Sequence, residues 1–250
     1  MSGRVAFITG ASSRGIGSGC AKALAEHGAS VFLTARREEQ LQEQVADIEA
    51  AGGKAAYAAC DVSDETQVQD AILACVDAFG GLDTMVLSAG VCGDFMEGVE
   101  FDTEDWETVI GINLNGVYYA IQYAWPYLVE SGNSCIIPIL SMAALKVDGF
   151  LPYTATKGAL LRMVPWIARY GGADGVRMNG IAPGVIDTDM TNPPGWNTED
   201  MVITPAAEKA PLHRCATIED CANAALFLAS DAARSITGQI IAVDGGEALI

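Results

Sequence analysis

Three side chains have the types needed to move a proton. Tyr153 and Lys157 lie four residues apart in Tyr153-Thr154-Ala155-Thr156-Lys157, with Ser141 just upstream. On a helix, positions i and i+4 share a face, so this spacing puts a phenol beside an ammonium. A free tyrosine titrates at about 10, and a neighbouring positive charge favours the phenolate and lowers that value. The hydroxyl then serves as an acid or base near neutral pH. Ser141, at the end of an apolar run, is placed to hydrogen-bond a carbonyl oxygen. Asn113, in a long helical stretch, is placed to bind a water that passes protons to Lys157. A surface pair is the alternative reading of Y-x-x-x-K; the upstream serine argues against it.

The second ingredient is a glycine-rich turn, Thr9-Gly10 to Gly15-Ile16-Gly17, enclosing Ser13 and Arg14. It follows an apolar strand and opens a helix. Glycines there allow a tight turn and a close backbone approach to a pyrophosphate, and the helix N-terminus offers free N–H groups. An ordinary turn is the alternative. The next strand ends Thr34-Ala35-Arg36-Arg37, without the acidic residue that binds a ribose 2′-hydroxyl. Guanidinium forks suit a phosphate, so Arg36, Arg37 and Arg14 predict a 2′-phosphate and hence NADP(H). The alternative is a solvated helix start, where positive charge is unfavourable. Asp61 is placed to meet the adenine edge. A dinucleotide turn with a proton-moving tyrosine predicts a nicotinamide-dependent oxidoreductase.

The elements that must position these groups alternate. Apolar strands are expected at 4–9, 30–35, 55–59, 84–88, 135–140, 176–181 and 239–243. Helices are expected at 17–27, 38–51, 65–79, 103–130 (bent near Pro126), 153–170 and 218–230. The pattern predicts an α/β fold, a single doubly wound Rossmann-like domain over 1–250 with helices on both faces of a parallel sheet. No linker or repeat interrupts it. The irregular stretch 188–217 carries Pro193, Pro194, Pro205 and Pro211. A loop of that length is usually functional, and a substrate lid is the expectation.

With these residues in order, the whole chain resembles the short-chain dehydrogenase/reductase family. The matching pieces are Thr9-Gly10…Gly15-Ile16-Gly17, Asp61-Val62, Ser88-Ala89-Gly90, Asn113, Ser141, Tyr153/Lys157, Pro183-Gly184 with Thr188, and Asp244-Gly245-Gly246. The resemblance implies a seven-stranded sheet and a homotetramer. It implies that Tyr153 is the general acid/base, that Ser141 orients the carbonyl and that Asn113 supports a proton-relay water. Lys157 would bind the nicotinamide ribose and tune Tyr153. Ala89 and Gly90 would line the cofactor, and Ile186 and Thr188 would hold its carboxamide. The chain departs from the family pattern in a glycine turn one residue longer, in Leu87-Ser88 before Ala-Gly, and in a Ser141-to-Tyr153 interval one residue shorter.

The bulk composition narrows the partners. A formal charge of −18 repels nucleic acid and disfavours acidic protein partners. No run reaches the ~18 apolar residues of a membrane span, and residues 1–4 are too short for a signal peptide. Seven cysteines without a C-x-x-C and two histidines predict buried free thiols, a cytoplasmic protein and no metal site. Glu100, Asp102, Glu104 and Asp105 read as a solvated helix start. His27 is expected to complement a helix end, and His213 to lie on the surface.

Val91, Cys92, Phe95, Met96, Met142, Leu145, Val147, Phe150 and Pro183, with Met190, Trp196, Met201, Val202 and Ile203 from the lid, predict an apolar pocket. Packing is expected to claim some of them. Two substrate classes compete. Residues 182–192 resemble bacterial bile-acid hydroxysteroid dehydrogenases, which implies a free lipophilic ketone or alcohol. The other is a 3-oxoacyl thioester on an acyl carrier protein, disfavoured by the net charge, by Asp174 and by Glu130-Ser131-Gly132-Asn133. A non-catalytic NADP(H) sensor is the third reading; retention of Ser141, Tyr153 and Lys157 argues against it.

Overall fold

The computed structural model describes residues 1–12, 14–94, 102–146, 150–192 and 197–249. Ser13, Phe95, Met96, Glu100, Val147, Pro193, Pro194 and Trp196 lie outside these residues.

Six strands form one parallel sheet: β1 (Val5–Thr9), β2 (Ser30–Ala35), β3 (Lys54–Ala59), β4 (Thr84–Leu87), β5 (Ser134–Pro138) and β6 (Val176–Met178). Their order is β3-β2-β1-β4-β5-β6. Successive side chains of a strand point to opposite faces, and here both faces are covered. Phe7, Phe32, Met85 and Ile136 pack with Ile72, Leu128 and Val164 on one face. Ala6, Ile8, Leu33, Val86 and Ile137 pack with Leu24, Leu41 and Leu228 on the other. Two-sided burial is why the strands read as unbroken apolar runs. The helices are α1 (Ile16–Glu26), α2 (Glu38–Ala50), α3 (Glu65–Phe79), α4 (Thr103–Ile110), α5 (Gly116–Ser131), α6 (Leu151–Gly171), α7 (Thr204–Lys209) and α8 (Ile218–Ala229).

Two expectations are corrected. The seven-stranded sheet is six strands plus a pair, because the 176–181 run divides at Asn179. The next strand, β7 (Gly180–Pro183), pairs with β8 (Ile240–Val243), and one bridge, Ile139 to Ile181, keeps it beside the main sheet. Asn179 is wholly buried. Its backbone N–H donates to Ile136, its side-chain amide donates to Ile236, and its Oδ1 accepts from Gln239. These bonds turn the chain from β5 towards β8.

The expected 103–130 helix is also divided, not at Pro126, which lies inside α5, but by a π-turn at Gly111–Asn115. The 188–217 stretch is partly structured, with a π-turn at Glu199–Ile203 ahead of α7. Among the described residues no helix is long and apolar enough to cross a membrane.

Candidate active site

A cavity of about 430 Å³ opens beyond the C-terminal ends of β1, β2, β4, β5 and β7. The sheet's order reverses between β1 and β4, where ligands of open α/β sheets bind. The glycine turn forms one wall. Gly10 has φ +70°, and a Cβ there would stand 2.9 Å from the Ala89 backbone. A Cβ at Gly17 would stand 2.6 Å from the Gly10 carbonyl oxygen. Gly17 therefore seats α1 against the turn and does not itself line the cavity. Gly15 caps α1 and lines the cavity with Gly10, Arg14 and Ile16. Thr9, at the start of the turn, accepts the Ser88 and Ala89 N–H groups on its Oγ1, both at 3.0 Å. A helix N-terminus above side-chain-free backbone fits a dinucleotide's pyrophosphate.

At the far end, Ala35, Arg36, Arg37, Asp61 and Val62 line the cavity. Arg36 and Arg37 are exposed at its rim. Asp61 Oδ1 is occupied by the Ser63 backbone N–H and hydroxyl, at 3.0 and 2.7 Å. Arg14 differs from expectation. Its guanidinium is committed to Asp187 at 2.9 and 2.6 Å rather than left open to a phosphate.

At the near end, Ala89, Gly90, Ser141, Tyr153, Lys157, Pro183, Gly184 and Thr188 come together. Ser141 caps a short 3₁₀ turn, its Oγ accepting from Ala143 N–H at 3.1 Å, and it hydrogen-bonds Tyr153. Burial pushes the Tyr153 phenol up to about 12, against the pull of Ser141. The expected lowering by Lys157 is thus not found. Lys157 Nζ donates to the Ile139 carbonyl at 2.7 Å and lies 5.4 Å from the Tyr153 ring centroid. Burial lowers its own value to about 8. Desolvation is the largest cause at both groups, opposed by the Ser141 hydroxyl at Tyr153 and by Cys92 at Lys157. A neutral phenol held beside a serine hydroxyl can donate a proton to a carbonyl oxygen that is gaining charge.

Asn113 is placed differently from these residues. It is wholly buried and does not line the cavity. Its Oδ1 accepts from Val91 N–H and its Nδ2 donates to the Val91 carbonyl, both at 2.8 Å. Its side-chain amide braces the segment after β4. The Ile186 side chain likewise belongs to the core, and its carbonyl accepts from the Thr191 hydroxyl.

Of the expected apolar lining, Val91, Cys92, Met142, Phe150, Pro183 and Met190 face the cavity. Leu145, Met201, Val202 and Ile203 do not. Val185 and Thr191, from the 182–192 run, also line it, as do Cys60 and Glu247, which no local motif marks.

The model of the family described as Enoyl-(Acyl carrier protein) reductase matches residues 10–247. This chain belongs to the short-chain dehydrogenase/reductase family. It is similar to 2,5-dichloro-2,5-cyclohexadiene-1,4-diol dehydrogenase of Sphingobium indicum, 39% identical over 98% of this chain and 96% of that one. It is similar also to the 3-oxoacyl-[acyl-carrier-protein] reductase of Thermotoga maritima, 32% identical over 98% of both. The solved 3-ketoacyl-(acyl-carrier-protein) reductase of Brucella melitensis, complexed with NADH, superposes with a TM-score of 0.90 at 29% identity. That match covers 99% of both chains. This short-chain dehydrogenase/reductase is an oxidoreductase that interconverts an alcohol and a carbonyl with a nicotinamide cofactor.

Proposed function

We propose that the protein uses NADP(H) to interconvert a ketone and a secondary alcohol on a lipophilic ring substrate, a hydroxysteroid or bile acid. One observation carries the reading. Ser141, Tyr153 and Lys157 meet at one end of a cavity whose other end bears Arg36 and Arg37, with Val91, Met142, Phe150 and Met190 on its wall.

When bound, the nicotinamide supplies or accepts the hydride. The chain supplies the rest. Ser141 holds the substrate oxygen, and Tyr153 gives it a proton as it becomes an alkoxide, or takes one in the reverse direction. Lys157 binds the nicotinamide ribose and steadies the phenolate. Asn113 supports a proton-relay water and braces Val91. Gly10, Gly15, Ile16 and Gly17 form the pyrophosphate cradle, with Ser13 assigned to it from the sequence. Arg36 and Arg37 hold the 2′-phosphate, and Asp61 and Val62 border the adenine. Ala89, Gly90, Pro183, Gly184, Ile186 and Thr188 surround the nicotinamide half. A cytoplasmic homotetramer is part of the same reading. The exposed Tyr118, Trp166 and Tyr170 of α5 and α6, and Ile241 of β8, supply apolar faces for it.

The similarity to 3-oxoacyl-carrier-protein reductases favours a second reading, a thioester substrate. Initial rates of NADPH oxidation with a keto-steroid and with a 3-oxoacyl thioester, each repeated with NADH, separate the two. The proposal expects the keto-steroid with NADPH to be fastest. A preference for the thioester would move the assignment to acyl-chain reduction.

A further inference from the structure

The glycine turn and residues 187–191 approach each other beside the cofactor cavity, and they are fastened at four points. Arg14 Nη1 donates to Asp187 Oδ2 at 2.9 Å and Nη2 to Oδ1 at 2.6 Å. Arg14 N–H donates to Asp189 Oδ2 at 3.2 Å, and Asp189 N–H donates to the Arg14 carbonyl at 3.1 Å. The two-point pairing uses the flat fork of the guanidinium, which is the same face that would grip a phosphate.

The other edge of the turn is tied to the end of β2, where Ala11 N–H donates to Thr34 O at 3.2 Å. Arg14, Arg36 and Arg37 therefore line one cavity together. Among the described residues, only Arg14 of these three has a carboxylate partner.

We infer that Asp187 is a positioning residue for cofactor choice: it holds Arg14 along the 187–189 segment and keeps that guanidinium from the 2′-phosphate. The inference rests on the reading that the ribose lies at the Arg36 and Arg37 end. Selectivity for NADPH over NADH is then lower than three free arginines would give. Both partners are about half exposed, at 52% and 51%, so water screens the pair and a phosphate can compete for Arg14 once Asp187 is neutralised.

The test is a double-mutant cycle on dissociation constants. NADPH and NADH are titrated against wild type, Asp187→Asn, Arg14→Gln and the double variant, following nicotinamide fluorescence. Asp187→Asn should raise the NADPH-over-NADH affinity ratio about five- to tenfold, the scale of one ordinary hydrogen bond at a solvent-screened site. The double variant should show no rise over Arg14→Gln. Asp187→Ser should repeat the result if the amide makes new contacts. An unchanged or lowered ratio in Asp187→Asn overturns the inference. So does an equal rise in the Arg14→Gln background, which would mean that Asp187 acts by bare charge. Arg36→Ala with Arg37→Ala tests the underlying reading separately. If that variant keeps wild-type selectivity while Asp187→Asn still shifts the ratio through Arg14, the positioning role stands and the Arg36/Arg37 assignment falls.

Discussion

At the scale of single residues, burial is the largest influence on how Tyr153 and Lys157 titrate. Lys157 titrates at about 8 in the folded protein against 10.5 for the free side chain. Between those values the unfolded chain binds more protons, so stability rises with pH across this window. Below it the buried ammonium remains a constant penalty. Urea midpoints of wild type and Lys157→Met should therefore diverge in favour of wild type from about pH 8 to pH 10; a pH-independent difference would mean that Lys157 is not desolvated. The Tyr153 shift has the opposite effect, since its folded value of about 12 lies above the free value of 10.0. Its contribution is lost only as pH rises beyond about 10. Asn113→Ala should cost about 2 kcal/mol in urea unfolding, because Val91 would be left with a part-buried N–H and C=O unpaired. Unchanged stability would show that water replaces the amide. Residue types and spacing made Ser141, Tyr153 and Lys157 legible in the sequence. The direction of the tyrosine shift was not legible, because it depends on how much solvent the fold removes.

At the scale of elements, Gly17 decides how closely α1 approaches the turn. Gly17→Ala puts a methyl 2.6 Å from the Gly10 oxygen and should weaken NADPH binding about tenfold while the protein stays folded, since overpacking of this kind costs about 1–3 kcal/mol. Fluorescence titration beside a thermal melt checks it; wild-type affinity would show that the cradle is not rigid. The strands were legible because burial on both faces leaves a continuous apolar run. The two breaks were not. Each falls at a buried asparagine, Asn113 in the π-turn and Asn179 between β6 and β7. Nothing local marks either one, because each is held by partners distant in sequence: Val91 for the first, Ile136, Ile236 and Gln239 for the second. The Arg14–Asp187 pair escaped for the same reason, its partners being 173 residues apart.

At the scale of the whole molecule, the exposed apolar side chains of α5 and α6 supply faces for the proposed homotetramer. Trp166 and Tyr170 are 63% and 55% exposed, with ring centroids 4.6 Å apart. Light scattering should give a mass of about four chains, and Trp166→Glu should lower it; a monomeric wild type would contradict the assembly. The proposed function joins the two halves of the cavity, a cofactor held by the glycine turn and a proton moved at Tyr153. Tyr153→Phe separates them in one protein, with NADPH affinity and ketone turnover measured on the same preparation. The expected NADPH dissociation constant lies within about threefold of wild type, with turnover lowered by about 10²- to 10⁴-fold. Near-normal turnover in Tyr153→Phe would contradict the proposed function.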